Sequence, residues 1–303
     1  MARRRYLRAT VPSMEEDAPV PRRFASELDL DIPRHWLPGN PVVSSILNAY
    51  TVLVPANESF YIRTLKQCMP RIHDPVLRAA SAGFIHQEAQ HGVAHKRYWR
   101  NLDAQGYRFR GFERRVEQLT FRIIERTLPR SLRVALVSCV EHINAYMAHE
   151  FLSQGILATA DPRMRALMEW HFAEEIEHKA VSFDVLQAVS PGYPVRLIGF
   201  LLTAPLFYLV LGIGTTNFLV QDQLLCKRAT WRQLWLHLGP AHHMLVRSLR
   251  HLWRYLRPSF DPDQLDDRHL AATAIARHAG AEPPMLAALQ AAAATATRAP
   301  HAA

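Results

Sequence analysis

From Pro41 onward the polar and apolar positions of this chain keep a helical period. Apolar residues recur three and four apart over roughly 43–68, 75–103, 112–127, 131–156 and 162–190. Proline punctuates these runs. Pro75 and Asp161-Pro162 stand at helix starts, where a missing N–H costs nothing, while Pro129 and Pro191 stand at ends and Pro55 interrupts the first run. Alternating β-branched runs and Asn-Gly or Asp-Gly hairpin turns are missing, so the pattern predicts an all-α fold. Short links join the first long helix to the second and the third to the fourth, which makes each pair antiparallel. About thirty residues, including the short 112–127 helix, separate the pairs. Two hairpins joined by one long crossover is the ferritin-like four-helix bundle.

Outside this bundle, placed at 41–192, the pattern changes. Residues 1–40 are rich in Arg and Pro without periodicity and read as a mobile or surface-wrapping arm. Leu197–Val220 holds 24 residues without a charge, between Arg196 and Asp222, the length of a bilayer span. Gly199, Pro205, Gly212, Gly214 and Thr215-Thr216-Asn217 make it irregular, however. A helix apolar all round also suits a large core or an oligomer interface, so a homodimer is an alternative to membrane contact. Residues 230–256 read as a basic amphipathic helix carrying Trp231, Trp235 and Trp253. That composition suits the headgroup layer of an anionic membrane, or an ordinary packed helix with a solvated cationic face. These apolar and amphipathic helices form a region at 193–258. A tail follows at 259–303, Ala-rich from about Glu282.

Composition narrows the chemistry. Among 303 residues, 49% are apolar and 21% charged, which is globular rather than disordered composition. With 12 glycines and neither a G-x-G-x-x-G nor a G-x-x-x-x-G-K-[ST] run, a dinucleotide fold or P-loop is not expected. Cys68, Cys139 and Cys226 are scattered and odd in number, which points to a reducing, cytoplasmic setting without disulfides or thiolate zinc. Met1-Ala2-Arg3-Arg4-Arg5 is not followed by an apolar stretch and so is not a signal peptide. The net charge of +9 comes from dispersed arginines without interleaved aromatics. Nucleic acid is therefore not an expected partner, while an anionic membrane surface or acidic substrate is compatible.

The chemistry is concentrated in four helices. The second carries Gln87-Glu88-Ala89-Gln90-His91 and the fourth Glu174-Glu175-Ile176-Glu177-His178, each with Glu and His three apart on one face. The first carries Glu58, thirty residues before Glu88, and the third Glu141, thirty-four before Glu175. Glu58, Glu88, His91, Glu141, Glu175 and His178 make the ligand set of a di-iron or di-manganese carboxylate centre, and the same six are the candidate catalytic residues. Bridging carboxylates offset the repulsion between two divalent ions, and each imidazole adds a ligand without further charge. A single acid-x-x-His pair means little, and Asp266-x-x-His269 in the tail is assigned no role. The competing reading has solvent-facing or capping acids, Glu58 after Pro55 among them, and buried histidines bonded to the backbone. Gln87 and Glu174, each just before a ligand Glu, are candidates to orient the opposite imidazoles. His95 and His171 lie one turn from the ligands as extra ligands, proton shuttles or polar residues at the bundle end. Tyr61 and Tyr146 lie near the ligand stripe, and Ala145 and Ala148 beside Glu141 leave room for substrate or oxygen, or are simply helix formers.

Phe84 through Gly92, Val140-Glu141-His142 and Trp170 through Val185 resemble a bacterial family described as predicted metal-dependent hydrolases, over roughly residues 40–255. The resemblance implies a metal site at the same six residues and, more weakly, hydrolysis of an ester or amide. The ligand chemistry itself favours two iron ions, with manganese or zinc as alternatives, since carboxylates stabilise the higher oxidation states. The expectation is oxygen-dependent hydroxylation or desaturation of a hydrophobic, lipid-like substrate with an external electron donor. Hydrolysis and non-enzymatic metal binding at a membrane are the alternatives.

Overall fold

The structure is a computed structural model and describes residues 19–24, 27–28, 31–241 and 243–278. Helix α1 spans Pro41–Cys68, capped where the Asn40 side chain accepts from the Val43 N–H at 3.2 Å. The interruption expected at Pro55 does not occur. Proline withholds the N–H that would bond the Thr51 carbonyl, and the Trp99 indole N–H donates to that carbonyl instead, at 3.2 Å. Helix α2 spans Pro75–Ala104, with Asp74 accepting from the Val76 N–H. The short helix α3 runs as Arg110–Arg115, widens into π geometry at Val116–Arg122 and finishes as Ile123–Thr127.

Helix α4 spans Arg130–Ser153 and α5 Pro162–His178, the latter capped by Asp161. The fourth predicted helix is not continuous to Pro191, because its hydrogen bonding lapses at Lys179 and Ala180 before α6, Val181–Val189. Both residues keep right-handed helical dihedrals, so the ladder breaks without reversing the chain. Helix α7 covers Tyr193–Gln221. The basic helix expected at 230–256 is two: α8 at Arg228–Leu236, extended by a π turn at His237–Ala241, and α9 at Met244–Tyr255. Pro240 lies at the break, where it withholds an N–H, and His243 turns the chain with φ of +51°. Helix α10 spans Arg268–His278. No strand occurs among the described residues.

Helices α1 and α2 pack as one pair and α4 with α5 and α6 as the other, around a continuous apolar core. Helix α7 is no detached appendage, since it lies along α1 and α4. Its inner stripe of Gly199, Thr203, Ala204, Phe207, Leu211, Gly214 and Phe218 is buried at helical spacing. A Cβ at Gly199 would stand 2.6 Å from the Ala135 Cβ, so this approach to α4 requires glycine. The outer face of α7 exposes Ile198, Leu201, Leu202, Leu209, Ile213 and Val220. Helices α8 and α9 continue that exposed apolar surface with Trp231, Trp235, Val246, Leu249 and Trp253.

The described part of the N-terminal arm wraps the bundle. Leu28, Ile32 and Trp36 are buried, and the Trp36 indole donates to Asn48 of α1 at 2.8 Å. Burying such side chains contributes about 1.5–3 kcal/mol each.

Candidate metal centre

One carboxylate from α1 (Glu58), one from α4 (Glu141) and a Glu–His pair from each of α2 and α5 meet in the middle of the bundle, each 3% exposed or less. His91 Nδ1 lies 3.4 Å from Glu58 Oε1 and 4.0 Å from Glu175 Oε1. His178 Nδ1 lies 2.8 Å from Glu88 Oε1 and 3.5 Å from Glu141 Oε2. Two groups of ligand-type atoms result, each within 4.8 Å: Glu58, His91, His171 and Glu175 in one, Glu88, Glu175 and His178 in the other. Glu175 belongs to both, which puts its carboxylate between them.

The outer nitrogens of the two imidazoles cross the bundle. His91 Nε2 is 2.9 Å from Glu174 Oε2 and His178 Nε2 is 2.7 Å from Gln87 Oε1. Glu174 comes from the helix of His178 and Gln87 from the helix of His91, so each pair ties α2 to α5. Both partners are oxygen acceptors, so the Nε2 atoms carry the protons and the Nδ1 lone pairs face the carboxylates. A further layer holds the acceptors. Gln87 donates to Glu177 and to the Val20 carbonyl, each at 2.9 Å, and Trp170 donates to Glu174 at 3.1 Å. Arg22 reaches Glu174 at 3.2 Å and Glu177 at 2.9 Å. Arg22, Trp170 and, on the inner side, Tyr50 are contributors that the sequence reading missed. Arg22 sits in an aperiodic arm without signal, whereas Trp170 lies one turn before Glu174 on α5.

His171 lies closer in than a bundle-end residue. Its Nε2 is 3.2 Å from Glu175 Oε1 and 2.8 Å from the Tyr50 hydroxyl, and its Nδ1 is 3.3 Å from His95 Nε2. Tyr50, His171 and His95 thus form a buried polar row whose central imidazole faces the shared carboxylate. Gly92, beside His91, makes room for Glu58, whose Oε2 would be 3.3 Å from a Cβ there. Tyr61, three residues beyond Glu58, is buried with its hydroxyl making no hydrogen bond among the described residues. Tyr146 instead stacks on His251 of α9 at 4.4 Å, which makes it a packing residue. Ala148 belongs to the apolar core, and Ala145 lines only a small cavity of about 20 Å³ beside His142 and His251.

Both carboxylate oxygens of Glu58, Glu88 and Glu141, one of Glu175, and the Nδ1 atoms of His91 and His178 make no hydrogen bond among the described residues. Buried polar atoms are ordinarily bonded, and isolated buried charges cost several kcal/mol. These orphaned atoms are all electron-pair donors converging on one place, which is the fit a cation demands. The electrostatics of the carboxyls agree, while His178 is pulled toward its charged form by the same acids. Burial, then the neighbouring carboxylates, holds the carboxyls of Glu58 and Glu88 well above their ordinary range. Glu141 is raised in the same way, and burial lifts Glu175 against the pull of His178 and His91. Burial lifts Glu174 to about 8 despite Arg22 and drops His91 to about 3. His95 and His171 are lowered by burial and by neighbouring imidazoles. His178 is opposed by burial but raised overall by Glu141 and Glu175. The buried His/Glu groups are able to hold metal ions.

The sequence profile of the family described as predicted metal-dependent hydrolase matches residues 20–266, so the chain belongs to that family. No match was found among curated proteins or among solved structures.

Proposed function

We propose that the chain is a dinuclear metal enzyme that uses dioxygen to hydroxylate or desaturate a hydrophobic, lipid-like substrate. The observation that carries this reading is the shared Glu175 flanked by orphaned carboxylates and two inward Nδ1 atoms. Glu58, His91 and Glu175, with His171 beside them, would hold one ion, and Glu88, Glu141, Glu175 and His178 the other. Two iron ions there would supply redox chemistry with dioxygen, and the anionic ligands favour their higher oxidation states. Electrons would come from a separate reductase or ferredoxin, since the sequence contains no flavin or iron–sulfur motif. Glu174 and Gln87 keep the imidazole protons on Nε2. The Tyr50–His171–His95 line is positioned to pass a proton to or from Glu175.

Hydrolysis is the second reading, and the family description favours it. It needs a Lewis acid and a metal-bound water but no oxidant. Location follows from the surface. Helix α7 has the length and composition of a membrane span, yet one face lies along α1 and α4. The reading is a cytoplasmic protein whose exposed apolar face of α7–α9 rests on an anionic membrane surface, with a homodimer through that face as the alternative.

The deciding experiment is metal analysis and absorption of protein purified under reducing conditions and then exposed to oxygen. About two irons per chain, with a ligand-to-iron band on oxygenation and reductant-dependent oxygen consumption, supports oxidation. Stoichiometric zinc or manganese without response to oxygen moves the reading to hydrolysis, and no metal after reconstitution sinks the site.

A further inference from the structure

A cavity of about 60 Å³ lies between α1, α3, α4 and α7. It is several times the space one water needs. Its walls are Leu53, Phe60, Phe121, Leu136, Val140 and Val210, with Asn57, Tyr61 and Thr203 among the few polar side chains. Tyr61, which lines the cavity, is buried within electrostatic reach of Glu141, Glu88 and Glu175, so the cavity lies beside the metal centre, although none of the candidate ligands forms its wall. Tyr61 and Thr203 each carry a buried hydroxyl without a hydrogen bond among the described residues. The outer wall is the π turn of α3, which contributes Val116, Thr120 and Phe121. Such turns in α-helices mark functional sites frequently.

The surroundings of the cavity state what fits it. On α3, Leu119 and Ile123 are exposed, and on α7 so are Leu202 and Leu209. Arg115, Arg122 and Arg126 are also exposed on α3, on either side of Leu119 in the chain. Apolar edges around an apolar cavity, with arginines on one edge, complement a molecule that has a hydrocarbon chain and an anionic head.

We propose that the cavity between α1, the π turn of α3, α4 and α7 receives a short segment of the hydrocarbon chain of an anionic single-chain amphiphile, the rest of the chain lying on the apolar edges and its head on the α3 arginines. The inference rests on the reading of the centre as catalytic, because it supplies that centre with its substrate class. Fatty-acid binding is therefore measured on protein stripped of metal as well as on loaded protein, beside metal analysis of each.

The probe is cis-parinaric acid, followed by fluorescence. Wild type should bind it, and Val210→Trp and Thr120→Trp, which fill the cavity, should weaken binding at least about tenfold, or about 1.4 kcal/mol. Leu249→Ser on α9 should leave binding unchanged. Palmitate should displace the probe better than hexadecanol does. Absence of binding by wild type, equal binding by both filled variants, or equal displacement by the alcohol overturns the proposal. Should the filled variants fail to fold, a diazirine-bearing fatty acid decides on wild-type protein. Crosslinks within 53–61, 116–124 and 203–210 support the cavity, and crosslinks confined to α8 and α9 overturn it. Binding at the cavity without metal uptake would leave this proposal standing and defeat the catalytic reading instead.

Discussion

Asp222 and Glu88 both bury their carboxylates, yet the surroundings are opposite. Asp222, at the end of α7, accepts from Arg34 at 2.6 Å and from the Tyr107 hydroxyl at 2.8 Å, with His35 at 3.0 Å. Glu169, on α5, has Arg165 at 2.8 Å, Arg277 at 2.6 Å and His278 at 3.0 Å. Each carboxylate is surrounded by donors and cations, and each joins segments far apart in sequence. In the metal centre the acids instead face one another and the lone pairs of two imidazoles. A buried carboxylate paired with a protein cation serves the fold, whereas buried carboxylates that face one another and two imidazoles form a group able to hold metal ions.

Metal removal should separate the two regions most sharply. A ligand that binds only the folded state stabilises it by about 4 kcal/mol at a thousandfold excess over its Kd. Chelation should therefore lower the melting temperature of wild type. Glu175→Ala should take up no metal and show no response to chelator, while Asp222→Asn and Glu169→Gln should keep full metal content. Metal analysis beside thermal melts reads both. A Glu175→Ala protein that still binds two equivalents would end the argument for a shared carboxylate.

Asp222→Asn should cost about 2–3 kcal/mol in denaturant unfolding, since it removes charge-assisted bonds at a buried position. Its metal affinity should be unchanged. Substitution of Gln87 by Ala should do the reverse and weaken metal binding about 10–100-fold, with a smaller effect on the metal-free melt, because the His178 ring loses the acceptor that fixes its tautomer. A melt of metal-free Gln87→Ala that fell as far as that of Asp222→Asn would mean that Gln87 serves the fold.

The contrast also explains what the sequence could reveal. Helical period and helix-start prolines are local signals, and they were legible: α1, α2 and α4 lie close to their expected spans, and α5 starts at Pro162 as expected but ends at His178. Gln87 and Glu174, from their places just before Glu88 and Glu175, stand against the imidazoles across the bundle. What stayed hidden depends on contacts distant in sequence. Pro55 looked like a break because nothing near it in the chain announces that Trp99 will bond the carbonyl it frees. Arg22 carries no pattern of its own and acquires its place only once the arm wraps α2 and α5. The charge-free stretch 197–220 could not say which of its faces is buried, because that choice belongs to Gly199 meeting Ala135. The π turn of α3 and the cavity behind it have no sequence signature at all.

A further effect concerns Glu169 and carries a definite sign. Burial alone would raise its carboxyl, but hydrogen bonds from His278, Arg165 and Arg277 outweigh burial and bring it down to about 2. An ordinary unfolded glutamate titrates near about 4.3. The folded state thus holds the proton less tightly than the unfolded state, and the stabilisation is fully present above the unfolded value. It is lost as pH falls from there towards the folded one. Stability curves of wild type and Glu169→Gln should therefore converge across that interval and run parallel above it. Two of the three donors, Arg277 and His278, belong to α10, so the loss should appear first as faster amide exchange in Arg268–His278. The convergence should be the same with and without chelator. A difference that chelation removes would tie Glu169 to the metal centre and dissolve the contrast between the two kinds of buried acid.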